Sequence, residues 1–151
     1  MRRGNRIACV VLVLLALLLG GCARESTVEP IEPATVKPIA GTDYNEITLT
    51  DLGYQNLGIQ TAAVREESVA ATAGATPRRR LVIPMTALVF NAEGNPYVYT
   101  SPAAKTYVRA PLEIAEYRGT DVILASGPKP GTQVVTVGDP ALLGIEYGVG
   151  E

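Results

Sequence analysis

The chain of 151 residues contains no histidine and no tryptophan, and it has a single phenylalanine. Without histidine it cannot build a Ser-His-Asp or Cys-His catalytic site, and it cannot bind a metal through imidazole. Basic residues are also few, with 13 Lys and Arg against 15 Asp and Glu. This mildly acidic balance argues against nucleic acid as a partner.

The remaining candidates for catalysis are weak. Lys105 follows Ser101 by four positions, one more than the Ser-x-x-Lys spacing of penicillin-interacting enzymes requires. Glu66 with Glu67 and Glu113 with Glu116 are closely spaced, and we expect both pairs on the solvated surface because a general acid/base couple needs a pocket. Met85 lies in an apolar run, where methionine usually fills a gap in the core. We therefore predict a protein that is not an enzyme and that uses no cofactor and no metal.

Cysteine is scarce too, with only Cys9 and Cys22. Both lie in the first 22 residues, MRRGNRIACVVLVLLALLLGGC, where a basic start precedes an apolar run from Ile7 to Leu19. This layout is typical of a secretory signal peptide, and the run is short for a membrane-spanning helix. We predict a signal peptide over residues 1–21.

The end of this segment, Leu19-Gly20-Gly21-Cys22, resembles the lipobox of bacterial lipoproteins. In those proteins the cysteine is acylated, with fatty acids such as palmitate, and becomes the mature N-terminus. The resemblance implies a lipid anchor at Cys22 that holds the protein on a membrane, outside the cytoplasm. An ordinary signal peptide that happens to contain a cysteine is the alternative. In either case no disulfide is available, so packing must stabilise the folded part.

A proline-rich segment follows, with no aromatic residue and no hydrophobic period. We predict that residues 22–42 are the lipidated cysteine and a tether, which could reach roughly 60 Å in the polyproline II limit. All seven tyrosines lie after it. Residues 43–151 are expected to form one domain.

The apolar residues of this domain mostly alternate, and turn residues interrupt them every eight to twelve positions. This pattern predicts an all-β fold, a small β-roll or barrel-like domain of short antiparallel strands with one or two short helical turns. Either Thr50 or Asp51 is expected to be the N-cap of the first helical segment and Gly58 its C-terminal stop, and Asp139 with Pro140 should start the second. Strands are predicted over residues 45–50, 59–64, 81–90, 97–101, 107–114, 121–126 and 133–138.

Short motifs follow one another in order through the C-terminal half. They are Ile83-Pro84, Ala87-Leu88-Val89, Tyr97-Val98-Tyr99, Arg109-Ala110-Pro111-Leu112, Lys129-Pro130-Gly131, Val134-Val135 and Leu142-Leu143-Gly144. The series resembles the membrane-proximal domain of periplasmic adaptors, or membrane-fusion proteins, of resistance-nodulation-division (RND) efflux pumps. Residues 47–74 are similar to the start of the folded part in the heavy-metal branch of that family. The resemblance covers nearly all of residues 46–147.

One departure from the family pattern is large. In the family, a β-barrel, a lipoyl-like domain and a helical hairpin are inserted between the two parts of the membrane-proximal domain. Here residues 65–80 stand in their place, and we interpret them as a loop. The resemblance thus implies an accessory or assembly lipoprotein that docks on an RND-type inner-membrane transporter or a full-length adaptor. A small envelope lipoprotein that binds a ligand or cell-wall component, and a degenerate adaptor remnant, are the alternatives.

Two groups of residues are candidates for binding. The i, i+2 spacing of Tyr97 and Tyr99, with Tyr107 and Arg109 on the next strand, could place all four on one sheet face. Such a face could be half-buried packing or a surface for a protein partner. The second group is the only run of like charge, which is expected to be a solvated loop or a contact for anionic lipid head groups. Its members are Arg78, Arg79 and Arg80.

Overall fold

The computed structural model describes residues 32–70 and 76–148. These residues form a mainly β domain with two short α-helices and a 3-10 turn. The helices are α1 (Asp51–Leu57) and α2 (Asp139–Glu146), and the 3-10 turn covers Met85–Ala87. The strands are β1 (Ala34–Pro38), β2 (Asn45–Leu49), β3 (Gln60–Ala63), β4 (Arg65–Val69), β5 (Arg78–Pro84), β6 (Val89–Phe90), β7 (Pro96–Ala103), β8 (Thr106–Pro111), β9 (Glu113–Arg118), β10 (Asp121–Ser126) and β11 (Gln133–Val137).

Seven strands form the first sheet, in the order β1-β2-β8-β7-β11-β3, and β6 adds a short pair to β7. All of its pairs are antiparallel. Strands from early in the chain flank the late strands of this sheet, because β2 pairs with β8 on one side and β3 pairs with β11 on the other. Neither part of the chain could complete the sheet alone.

The second sheet is antiparallel and has four strands, in the order β4-β5-β10-β9. Strands β4 and β5 pair along their whole overlap, from Arg65 opposite Val82 to Val69 opposite Arg78. Ion pairs lie along this hairpin, including Arg79 with Glu66 at 2.9 Å. The segment before residue 70 and the segment after residue 76 are therefore direct neighbours in this sheet as well.

The apolar core lies on both faces of the first sheet. One face packs against α2, whose Leu142 is fully buried among the side chains of β2, β7 and β8. The other face packs against the second sheet, where Val98 and Val134 meet Ile83 and Val122. A small third cluster lies apart from both and consists of Val69, Val82 and Ile123.

Helix α1 is capped as its sequence predicts. The Thr50 side chain accepts a hydrogen bond from the Gly53 backbone N–H at 3.1 Å, and Gly58 ends the helix with a φ of +57°. The Thr50 N–H also donates to the Pro33 carbonyl at 3.0 Å. A Cβ atom on Gly53 would overlap that same carbonyl oxygen. The glycine thus lets α1 lie directly against the chain that leads into β1.

The all-β architecture with short helices is confirmed, and the strands are arranged as two open sheets. Several boundaries differ from the prediction. The apolar run over residues 81–90 is interrupted by the 3-10 turn after Pro84, and the predicted strand over residues 107–114 is divided at Leu112 into β8 and β9. The cap of α2 is Gly138, one residue before the predicted Asp139. Among the described residues, no helix has the length and apolar character needed to cross a membrane.

The tether prediction is wrong for its last part, because Ala34–Pro38 forms strand β1 and pairs with β2 from Ala34 opposite Leu49 onward. The prolines suggested a linker, but Pro33 directly precedes β1 and Pro38 is its last residue, and β1 is an edge strand. An edge strand tolerates proline because one of its sides donates no ladder hydrogen bonds. Residues 22–31 of the predicted tether lie outside the described part of the chain.

Candidate functional site

Three neighbouring strands bring a polar cluster onto the face of the first sheet that α2 covers. In β7, Tyr97 and Tyr99 point to this face while Val98 between them points to the other. Arg109 in β8 lies directly opposite Tyr99 in the strand pairing. Because side chains alternate along a strand, this register places the arginine beside both tyrosine rings.

Glu146, the last residue of α2, supplies the partner of Arg109. The Arg109 Nε atom lies 2.6 Å from the Glu146 Oε2 atom, and the Tyr99 hydroxyl donates to the same oxygen at 2.7 Å. The ion pair is buried, with 9% of the arginine side chain and 4% of the glutamate side chain exposed. Asn45 reaches the second carboxylate oxygen at 3.5 Å. One carboxylate thus connects α2 to strands β2, β7 and β8.

Aromatic rings surround the guanidinium group. Its central carbon lies over the ring of Tyr97 at 4.6 Å from the centroid and over the ring of Tyr147 at 5.1 Å. The Tyr97 and Tyr99 rings pack edge to face, with centroids 5.6 Å apart. Cation–π contacts of this kind are favourable, and more so when water is excluded. These contacts hold the plane of the guanidinium group in place and stabilise its positive charge.

The environment sets the ionisation states in this cluster. Burial raises the pKa of the Tyr99 hydroxyl, and its hydrogen bond to Glu146 raises that pKa further. Burial also raises the pKa of Tyr97, although the charge of Arg109 opposes this. For Arg109, burial acts to lower the pKa, but hydrogen bonding to Tyr147 and Glu146 outweighs it, and the pKa rises. Both tyrosines are therefore neutral and the arginine is charged at neutral pH.

Two buried polar atoms in the cluster have no hydrogen-bond partner among the described residues. They are the Arg109 Nη2 nitrogen and the Tyr97 hydroxyl oxygen. Both residues border a cavity of about 250 Å³, and Arg109 also borders an adjoining cavity of about 560 Å³. Tyr44 and Asn91 line both cavities. The first is completed by Asn95, Pro96 and Pro111, and the second by Thr42, Asp43, Glu93 and Tyr147.

Of the two interpretations of the tyrosine and arginine face, packing inside the fold agrees with the structure and an exposed surface for a protein partner does not. The four residues do share one sheet face, but α2 packs on it. Tyr97, Tyr99 and Tyr107 are exposed by only 4%, 0% and 2%, and the Arg109 side chain is buried as well. Helix α2 was expected from the sequence, but its position over this face was not. The two cavities lie at the edge of the cluster, beside Tyr97 and Arg109.

The predicted loop at the three arginines is also wrong, because Arg78, Arg79 and Arg80 begin strand β5. Arg78 and Arg79 are exposed and Arg80 is partly so, so their predicted contact with lipid head groups stays a prediction. Met85, expected in the core, lies in the 3-10 turn and is 40% exposed. The residues of the lipobox, Leu19, Gly20, Gly21 and Cys22, lie outside the described part of the chain. Lipidation of Cys22 therefore stays a prediction too.

Glu146, Tyr44 and Asn91 belong to the site but were not singled out in the sequence. Glu146 carried a weak signal, since it is the only acidic residue after Asp139 in the otherwise apolar helix ALLGIE. Tyr44 and Asn91 carried no such signal, because they lie in the segments that precede β2 and β7.

Chemically the site offers hydrogen-bond donors and aromatic surface, which are means of binding. When the chain was compared with protein-family models, with characterised proteins and with solved structures, none of the three comparisons found a match.

Proposed function

We propose that the protein is a lipid-anchored, non-enzymatic accessory subunit that docks on the extracytoplasmic domains of an RND-type transporter or on a full-length adaptor. Its fold would correspond to the membrane-proximal domain of such an adaptor without the inserted domains. Its role would be assembly of the export complex at the membrane surface. A degenerate adaptor remnant would share the fold but would lack the partner.

One observation carries the proposal. Strands from both sides of residues 71–75 pair with one another, with β2 beside β8, β3 beside β11 and β4 beside β5. In the family that the sequence resembles, inserted domains separate two segments that together form one domain. A chain without the insertions is expected to join the same two segments directly, and the pairing of Val69 with Arg78 is the kind of junction that this requires.

The proposal is tested by site-specific photo-cross-linking in membranes. Tyr117 is replaced by a photoreactive phenylalanine, because this residue is 55% exposed on β9, an edge strand of the second sheet. Leu52 on α1 is 49% exposed and provides a matched position beside the first sheet. Irradiation should link at least one of the two positions to a multi-pass transporter or an adaptor, identified by mass spectrometry. Recovery of only unrelated envelope proteins from both positions would contradict docking.

The alternative function, ligand binding by a small envelope lipoprotein, is favoured by a different observation. Tyr97 and Arg109 border a cavity and carry polar atoms without hydrogen-bond partners in the described part of the chain. Neither cross-linking position, Tyr117 or Leu52, lines the two cavities, so the two functions can be tested separately.

A further inference from the structure

We propose that the start of strand β5 is a contact site for anionic phospholipid head groups, through which the folded domain lies against the membrane surface. The site consists of Arg78, Arg79 and Arg80, which begin this strand. The inference rests on the lipid anchor of the proposed function and not on docking to a transporter. It concerns the second sheet, whereas the polar cluster belongs to the first.

The three arginines lie in a two-stranded ribbon formed by β4 and β5. The pairing of β5 with β10 covers residues 81–84, whereas residues 78–80 pair with β4. Because side chains alternate along a strand, Arg79 extends from the opposite face of the ribbon to Arg78 and Arg80. Arg78 and Arg79 are exposed and Arg80 is partly exposed. The end of the ribbon therefore presents positive charge on both of its faces.

The ribbon is held in place up to the end of β4. Val69 is only 8% exposed and packs with Val82 and Ile123. The Arg118 side chain of β9 donates to the Ala70 carbonyl at 3.4 Å. Contact with the arginines therefore does not require the backbone that carries them to be ordered first, which would weaken binding.

The positive charge of this ribbon is only partly neutralised. Both glutamates of β4 are already in ion pairs, one with Arg79 at 2.9 Å and the other with Arg65 at 3.1 Å. Among the described residues, no ion pair includes Arg78 or Arg80. The whole chain is mildly acidic, with 13 Lys and Arg against 15 Asp and Glu. A positive region on such a molecule orients it towards a negatively charged surface.

The chemistry of arginine suits phospholipid head groups. The planar guanidinium group has paired N–H donors that match two oxygens of a phosphate group. Basic residues close to an anionic leaflet are attracted to it, and each raises the population in contact by roughly fivefold. A bilayer offers many phosphate groups side by side and can serve both faces of the ribbon at once. A single small anion would reach the arginines of one face only.

The chain between the predicted anchor and the domain is short, which favours a bilayer as the partner. Strand β1 begins at Ala34, so residues 23–33 alone connect Cys22 to it. This segment spans at most about 40 Å, which is close to the diameter of roughly 35 Å expected for a domain of this size. The anchor therefore keeps the ribbon at a high local concentration of head groups, where weak contacts suffice.

Lipid photo-cross-linking tests the contact. A photoreactive phenylalanine replaces Ser68, which is exposed and lies directly opposite Arg79, in the full chain purified from bacterial membranes. The protein is placed in vesicles of phosphatidylcholine alone or in vesicles with roughly a third of phosphatidylglycerol. We expect about fivefold more lipid adducts at this position in the anionic vesicles, measured by mass spectrometry, and loss of the difference in high salt. The same probe at Leu52 on α1 should give equal adducts in both.

Two double variants with the same change of charge separate the site from the net charge of the protein. Arg78→Gln with Arg79→Gln should reduce the adducts at position 68 to the level in neutral vesicles. Lys37→Gln with Lys129→Gln removes as much charge from exposed positions outside the ribbon, and the adducts should stay within about twofold of the unmodified level. Circular dichroism establishes that each variant is folded.

The anchor and the contact can fail separately. The mass of the purified chain reports acylation of Cys22, whereas the ratio of adducts between the two kinds of vesicle reports the contact. Equal adducts at position 68 in both kinds of vesicle would overturn the contact, and so would equal losses in the two double variants. Cross-linking of position 68 in native membranes to a protein instead of lipid would overturn it too, because the arginines would then serve a protein partner.

Discussion

At the scale of single residues, the most consequential contact is the ion pair between Arg109 and Glu146. Both side chains are more than nine-tenths buried, and the carboxylate also accepts from Tyr99. Desolvation offsets much of the attraction in a buried pair, so the intact pair need not stabilise the fold strongly. Loss of one partner is different, because it leaves the other charge buried without compensation.

We predict that Glu146→Gln lowers the free energy of unfolding by about 3 kcal/mol. The amide can still accept from Tyr99, but Arg109 would keep a buried positive charge without its counter-ion. Urea unfolding of the full chain in detergent, followed by circular dichroism, measures the change. Glu116→Gln is the control, because Glu116 and Arg118 form an ion pair at the surface, and its effect should stay within about 0.5 kcal/mol. Equal small effects for both would contradict a structural role for Glu146.

The sequence predicted part of this site and missed the rest for a physical reason. The i, i+2 spacing of Tyr97 and Tyr99 indicated a common sheet face, and the register brings Arg109 to it. Alternation alone does not say which face is solvated, and here both faces of the first sheet are covered. Glu146 comes from a helix 37 positions after Arg109, and single-sequence patterns do not reveal pairs at that distance.

At the scale of elements, β1 and α1 support each other through one carbonyl group. Pro33 C=O accepts hydrogen bonds from the Thr50 backbone N–H at 3.0 Å and from the Thr50 hydroxyl at 3.1 Å. The caps of α1 were predictable because they depend on neighbouring residues. Strand β1 was not, since the proline-rich composition around it is typical of a linker and its pairing with β2 is a tertiary contact.

We predict that Gly53→Ala destabilises the fold by about 1–3 kcal/mol, although alanine is the better helix former. The added methyl group would overlap the Pro33 carbonyl oxygen and separate α1 from the start of β1. Hydrogen exchange should show reduced protection of the amides in Ala34–Pro38. Asn56→Ala, at an exposed position of the same helix, should be neutral or slightly stabilising. A Gly53→Ala variant as stable as Asn56→Ala would show that β1 and α1 are not in close contact.

At the scale of the whole molecule, the hairpin of β4 and β5 marks the place where the chain could accept another domain. Val69 and Arg78 are opposite each other, so the two strand ends enter and leave at the same point of the second sheet. Insertions are tolerated at such points because the ends of a compact domain are often close together. The all-β class was predictable from alternation, but this junction was interpreted as a loop because a run of like charge is usually solvated.

We predict that a compact domain inserted in place of residues 71–75 changes the free energy of unfolding of the β domain by no more than about 1 kcal/mol, since closing a longer loop costs little. The same domain inserted between Thr61 and Ala62 should unfold the protein, because it would divide β3 where this strand pairs with Val134 and Val135. Circular dichroism and hydrogen exchange of β11 distinguish the two chimaeras. Unfolding of both chimaeras would contradict the prediction that the junction between β4 and β5 tolerates an inserted domain.

The pairing of early with late strands in the first sheet also sets the order in which the protein can fold during synthesis. Ile47 pairs with Tyr107, and Thr61 pairs with Val135. Strands that are synthesised early therefore cannot pair until the later strands have been synthesised. Contacts between distant parts of a sequence form slowly, and a nascent chain that ends before β11 leaves β3 without its partner. The domain is therefore expected to fold only after its last strand has been released, which leaves the unfolded chain available to chaperones and proteases until synthesis is complete.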